Sequence, residues 1–100
     1  MAHLRVAVLK WNIDLTTDEA QRVALRVREE LIPRLKSKPG FISYQGFVDS
    51  EQPRTTIVVV TWASAEQAEV GMQEAVAWTQ EHASRYLAGR EGYSGEVILS

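Results

Sequence analysis

Few side chains in these 100 residues can take a proton or steady a charge in an apolar setting, and three stand out. His82 is the only internal histidine, and an imidazole is the natural general base near neutral pH. It lies four residues after Trp78 and four before Tyr86, so on a helix the three share a face. It can equally be a half-exposed packing residue. Asn12 closes an alternating apolar run; its amide can donate to a substrate anion, or it can cap the turn before Thr16. Trp62 closes a second such run, and its indole N–H wants a partner when buried. It is either a donor into a pocket or a core ring between sheet and helix. Tyr44 and Tyr86 can orient a phenolic substrate, or pack their rings and leave the hydroxyls wet. Met72 and Trp78 complete the substrate-facing set, although Trp78, like Trp11, serves equally as a core or interface anchor. Arg85 and Arg90 read as solvated.

Other chemistries lack their residues. The chain has no cysteine, which excludes disulfides, a thiol nucleophile and cysteine-ligated clusters. Two histidines, one of them His3, give no ligand cluster, so no metal is expected. There is no serine elbow, and no flavin motif or glycine-rich phosphate loop for a nucleotide, so no cofactor is expected either. A net charge of −2, with the densest basic stretch from Arg22 to Lys38 broken by Glu29 and Glu30, gives no nucleic-acid footprint. No run is long enough to span a bilayer and no secretory leader is visible, which with the missing cysteines suits a reducing cytoplasm.

The elements that must position these residues follow from periodicity. The chain reads as a single domain, residues 1–100. A first strand covers Leu4 to Ile13. Thr16 and Glu19 form a capping box, and a helix follows with Ala20, Val23, Ala24, Val27, Leu31 and Leu35 on one stripe. Pro33 should kink or end it. A turn at Pro39 and Gly40 starts a second strand, Phe41 to Val48. A polar loop then makes a hairpin with a third strand, Thr55 to Trp62. Ser64 and Gln67 cap a second helix with Ala65, Ala68, Met72, Ala75, Val76, Thr79, Ala83 and Tyr86 on its stripe. Gly71 should loosen it and Gly89 stop it. Tyr93 to Leu99 reads as the last strand. The order β-α-β-β-α-β is the ferredoxin-like arrangement, an α+β fold with a four-stranded antiparallel sheet and helices on one face.

Both faces of the first and third strands are largely apolar. Ile57, Val59 and Thr61 alternate with Val58, Val60 and Trp62. Two helices cover one face only, so a homodimer with sheets facing each other is expected to bury the other.

Three pieces together carry a resemblance over essentially the whole chain: Pro39, Gly40 and Phe41 before the second strand; Val58 to Ser64 at the end of the third; and Glu66, Gln67 and Ala68 on the following helix. In these the chain resembles the antibiotic biosynthesis monooxygenase family of the dimeric α+β barrel superfamily. The resemblance implies a homodimer with a pocket between sheet and helices. There a small aromatic or quinol-type substrate, deprotonated, gives an electron to dioxygen without a cofactor. It implies Trp62 as the strand-end tryptophan, His82 where some members place a basic residue, and Asn12 and Trp62 meeting His82 in one cavity. Val58 and Ala68 stand where the family has a polar residue and an aromatic. A non-catalytic ligand-binding or stress-related barrel, and an isomerase relative with His82 as proton shuttle, are the alternatives. Haem-degrading relatives share Asn12 and Trp62, but Met72 stands where their axial histidine belongs.

Overall fold

In the computed structural model, residues 2–100 are described. Strand β1 (His3–Trp11) leads to helix α1 (Asp18–Arg26), a π-helical stretch (Val27–Leu31) and helix α2 (Ile32–Lys36). Strands β2 (Phe41–Val48) and β3 (Thr55–Trp62) form the hairpin. Helix α3 (Ala65–His82), a 3₁₀ turn (Ser84–Tyr86) and strand β4 (Leu87–Glu96) complete the chain. The strands lie in the order β2-β3-β1-β4, every pair antiparallel. This is the ferredoxin-like α+β fold, with the helices on one face.

Cross-strand register sorts the faces. Arg5, Ala7, Leu9 and Trp11 of β1, Thr56, Val58, Val60 and Trp62 of β3, Tyr44 of β2 and Arg90 of β4 look toward the helices. Leu4, Val6, Val8, Ile57, Val59, Phe47 and Tyr93 lie on the opposite face, away from the helices. Phe47 and Tyr93 are exposed there. The core between sheet and helices is built from Leu31, Leu35, Val60, Trp62, Ala68 and Trp78.

Several boundaries depart from the sequence-based expectation. The cap of α1 is Thr17, whose hydroxyl accepts from the Ala20 N–H at 3.2 Å; Thr16 is held by the Asp14 carboxylate instead. Pro33 does not end the helix, which continues through α2 to Lys36. It removes a donor and crowds the preceding turn, and the ladder adapts by widening: the Ile32 N–H reaches the Val27 carbonyl, one residue further back than in an α-helix.

Gly71 does not loosen α3, which runs unbroken. A Cβ there would lie 2.0 Å from Cζ2 of Trp62, so the missing side chain is the space the indole occupies. Helix α3 ends at His82, before Tyr86, which belongs to the 3₁₀ turn. Gly89 lies inside β4 rather than stopping the helix. The last strand begins at Leu87, six residues before the expected Tyr93, and ends at Glu96. Strand β1 stops at Trp11, leaving Asn12 and Ile13 beyond the ladder.

Candidate functional site

Two adjoining cavities lie between the sheet and the helices. The larger, about 560 Å³, sits beneath α1 and the π-helical stretch at the Trp11 end of β1. Its walls include Leu9, Val23, Val27, Tyr44, Val58, Trp78 and Tyr86. The smaller, about 60 Å³, sits at the middle of the sheet beside Trp62, Met72, Arg5 and Arg90. Leu9, Leu31, Tyr44, Val58 and Thr79 border both, so the two cavities are neighbours across these side chains. The larger volume is in the range that small-molecule sites occupy, with mainly apolar walls and a few polar groups.

Those polar groups are mostly spoken for. The Trp11 indole N–H donates to the Thr56 hydroxyl at 2.9 Å, and the Thr79 hydroxyl donates to the Ala75 carbonyl at 2.8 Å. The Trp78 N–H donates to the Glu30 carboxylate at 3.3 Å. The Tyr86 hydroxyl donates to Glu19, a bond that raises the phenol's pKa. The Tyr44 hydroxyl differs: it has no hydrogen-bond partner among the described residues, and burial pushes its pKa above the ordinary phenol range. It is therefore an O–H donor on the wall shared by both cavities.

The structure brings together Tyr44, Trp62 and Met72 around the smaller cavity, and Tyr44, Trp78 and Tyr86 around the larger. Trp62 is 1% exposed and meets Phe41 edge-on, with ring centroids 5.6 Å apart.

Asn12 and His82 line neither cavity. Asn12 is exposed; its amide donates to the Arg85 carbonyl at 3.0 Å and its backbone N–H to the Tyr86 carbonyl, tying β1 to the turn before β4. It also stands far from Trp62. Strands β1 and β3 are neighbours, but antiparallel, with His3 opposite Trp62 and Lys10 opposite Thr55. Their carboxyl-terminal ends therefore lie at opposite ends of the sheet, and the expected meeting of Asn12, Trp62 and His82 does not occur.

His82 instead faces α1. Its Nδ1 lies 2.7 Å from Nη2 of Arg26. A guanidinium can only donate, so Nδ1 accepts and the ring proton sits on Nε2. Arg26 also grips Glu30 with two bonds, at 2.9 and 3.3 Å, and that grip holds the Glu30 carboxyl below its usual pKa range. The imidazole lies against Trp78, the rings tilted by 43° with centroids 4.9 Å apart. This cluster joins α1 to α3 outside the cavities.

Arg5 and Arg90 were not expected at a site, yet both line the smaller cavity. The signal was in the alternation of β1, which puts Arg5 on the same face as Ala7, Leu9 and Trp11. Arg90 is half-buried rather than solvated, and burial, with the nearby charge of Arg5, lowers its pKa. Arg85 is exposed, with its guanidinium carbon 5.2 Å from the centre of the Tyr86 ring. Among the described residues there is no cluster of metal-ligating side chains, and no helix is long and apolar enough to cross a membrane.

No protein-family model matches the chain, and no curated protein does. Solved structures do match. A protein from Nitrosomonas europaea assigned to the antibiotic biosynthesis monooxygenases superposes with a TM-score of 0.75 at 14% identity, over 97% of this chain and 90% of that one. SnoaB, a cofactor-independent oxygenase from Streptomyces nogalater, superposes with a TM-score of 0.72 at 11% identity, over 99% and 95%. A conserved protein from Methanosarcina mazei Go1 gives 0.73 at 15% identity, over 96% and 92%. The chain thus has the fold of the antibiotic biosynthesis monooxygenases, the family its sequence resembles. At these identities the likeness is one of fold.

Proposed function

We propose that the protein holds a flat, electron-rich aromatic molecule in the larger cavity and oxidises it with dioxygen, without a cofactor. The observation that carries this reading is the apolar cavity of about 560 Å³ with a half-buried phenol on its wall whose hydroxyl bonds to no other described residue. The cofactor-independent oxygenase with the same fold supports it.

The chemistry suits a substrate with an acidic CH₂ between rings, such as an anthrone. Loss of one proton gives an enolate, and the Tyr44 hydroxyl donates to its oxygen, where charge develops. The Tyr86 hydroxyl, already bonded to Glu19, offers the proton a path to that carboxylate. The enolate gives one electron to dioxygen, and the two radicals combine at carbon. Loss of water from the hydroperoxide leaves a ketone. Overall, CH₂ and O₂ become C=O and H₂O: the substrate loses four electrons, dioxygen gains four, and one oxygen atom ends in each product. The apolar walls keep bulk water from the anion.

Oxygen consumption with an anthrone tests this. One O₂ per substrate is expected, with a Tyr44→Phe variant slowed ~10-fold or more, as for loss of a donor to a developing anion. Binding without oxygen uptake would leave the second reading, a ligand-binding barrel without catalysis. Val58, an apolar residue on the wall of both cavities, favours that reading. Under either one, a second copy of the chain covers the open face of the sheet.

A further inference from the structure

We infer that Arg5 and Arg90 form a binding site for the carboxylate of an aromatic acid whose rings lie in the adjoining larger cavity. The inference rests on the cavity reading above and adds the charge of the ligand.

Both guanidiniums lie on the helix-facing side of the sheet. In the ladder, Arg5 is opposite Ser94, Ala7 opposite Gly92 and Leu9 opposite Arg90. Arg90, Gly92 and Ser94 therefore share one face of β4, successive members being about 7 Å apart. The Arg5 side chain leans along this row. Its Nη1 donates to the Ser94 hydroxyl at 3.1 Å. Its Nη2 would lie 2.1 Å from a Cβ built on Gly92, so the guanidinium occupies the space that Gly92 leaves open. That brings the head group within one pleat of Arg90. Two like charges are thus gathered on one rim of the smaller cavity.

Neither charge is answered. The ion pairs among the described residues join Lys10 with Glu91, Arg26 with Glu30 and Lys38 with Glu74, and include neither Arg5 nor Arg90. Glu91 flanks Arg90 in sequence but points to the other face, toward Lys10. Burial and the repulsion between the two guanidiniums lower the Arg90 pKa, and an anion between them relieves that repulsion. The guanidinium fork matches a carboxylate. The walls that continue from this rim, Leu9, Leu31, Tyr44 and Val58, lead into the larger cavity. The ligand that satisfies both features is flat and aromatic at one end and a carboxylate at the other.

The test uses two fluorescent probes of matched shape, 9-anthracenecarboxylate and the neutral 9-anthracenemethanol, titrated into the full chain. The parent is expected to bind the carboxylate at least ~10-fold more tightly, the range of a charge-assisted hydrogen bond. Arg90→Gln should lose that preference and leave the neutral probe unchanged. Gly92→Ala keeps both charges but pushes the Arg5 guanidinium aside. Because only the far end of a flexible side chain must move, the variant should fold and bind the carboxylate several-fold more weakly. Equal affinities for both probes in the parent overturn the anion site and leave the cavity reading standing. Equal losses for both probes in Arg90→Gln also overturn it. Binding of neither probe overturns the cavity reading and the anion site together.

Discussion

The contact between Gly71 and Trp62 gives the sharpest test of how this core is built. An alanine at position 71 in the interior of an 18-residue helix would ordinarily stabilise it, by about 0.8–1.0 kcal/mol relative to glycine. Here the new Cβ would stand 2.0 Å from Cζ2 and 2.6 Å from Cη2 of Trp62, both far inside van der Waals contact. The indole cannot swing away freely: it is 1% exposed and packed edge-on against Phe41. Overpacking costs about 1–3 kcal/mol, and a contact this close to a fixed ring belongs at the upper end, about 2–3 kcal/mol. Against the helix gain, a net loss of about 1–2 kcal/mol is expected. For a domain of this size that corresponds to a fall in Tm of roughly 4–16 °C. Thermal unfolding followed by circular dichroism reads it directly. The cycle with Trp62→Phe isolates the cause, because the smaller ring vacates the space: Gly71→Ala should cost much less in that background. A Gly71→Ala protein as stable as the parent, or an equal cost in both backgrounds, would show that the indole does not hold this position.

Four further outcomes follow from the geometry. The chain should sediment as a homodimer at micromolar concentration, burying more than ~1,000 Å² in total on its open sheet face, the size of a credible stable interface; a monomer would refute the two-sheet assembly. The Glu30 pKa is lowered first by its bond to Arg26 and the Asp14 pKa by the Thr16 N–H, so the stability each contributes is present above its ordinary range and is lost as pH falls through its folded value. Acid unfolding should therefore set in below about pH 4.5, and Glu30→Gln should flatten that slope. Tyr44 shifts the other way: burial raises its pKa, so stability should hold up to about pH 10 and fall above it, less steeply in Tyr44→Phe. His82→Ala should leave the oxidation rate within about twofold, since general-base removal costs ~10²-fold or more and His82 borders neither cavity; a larger loss would return the imidazole to the reacting atoms.

The first three strands and both helices were legible because each has a strong period. Alternation in Thr55 to Trp62 gave β3 to the residue and put Trp62 under the helices. β4 was misplaced because it carries little such signal. Gly89, Gly92 and Gly95 interrupt it, its residues are mostly exposed, and it is defined by pairing with β1 rather than by its own side chains. The π-helical stretch was hidden for a related reason: Pro33 announces a missing donor but not how the ladder rearranges around it. Gly71 looked like a weak point because a helix propensity is a local quantity, whereas the reason for that glycine lies across the core on β3. Among the candidate site residues, the aromatic side chains and Met72 reached the cavities, Trp62 among them although it was chosen for its N–H. His82 and Asn12, chosen for their polar ends, were taken up by structural bonds.

That division follows from antiparallel pairing. Asn12 follows the end of β1 and Trp62 ends β3, at opposite ends of the sheet, so these two groups cannot converge. Mid-strand residues on the helix-facing side can, and there the chain places Arg5, Tyr44 and Arg90 among aliphatic neighbours. The phenol has no partner among the described residues, and the two half-buried guanidiniums repel each other. One ligand offering an oxygen to the phenol and an anion to the arginines would answer both at once. The two features therefore form a single specificity: Tyr44→Phe should weaken binding of an oxygen-bearing aromatic carboxylate by less in the Arg90→Gln background than in the parent, because a ligand no longer held at its anionic end need not present its oxygen to Tyr44. Equal effects of Tyr44→Phe in both backgrounds, measured as a double-mutant cycle on binding, would instead separate the phenol and the arginines into independent sites.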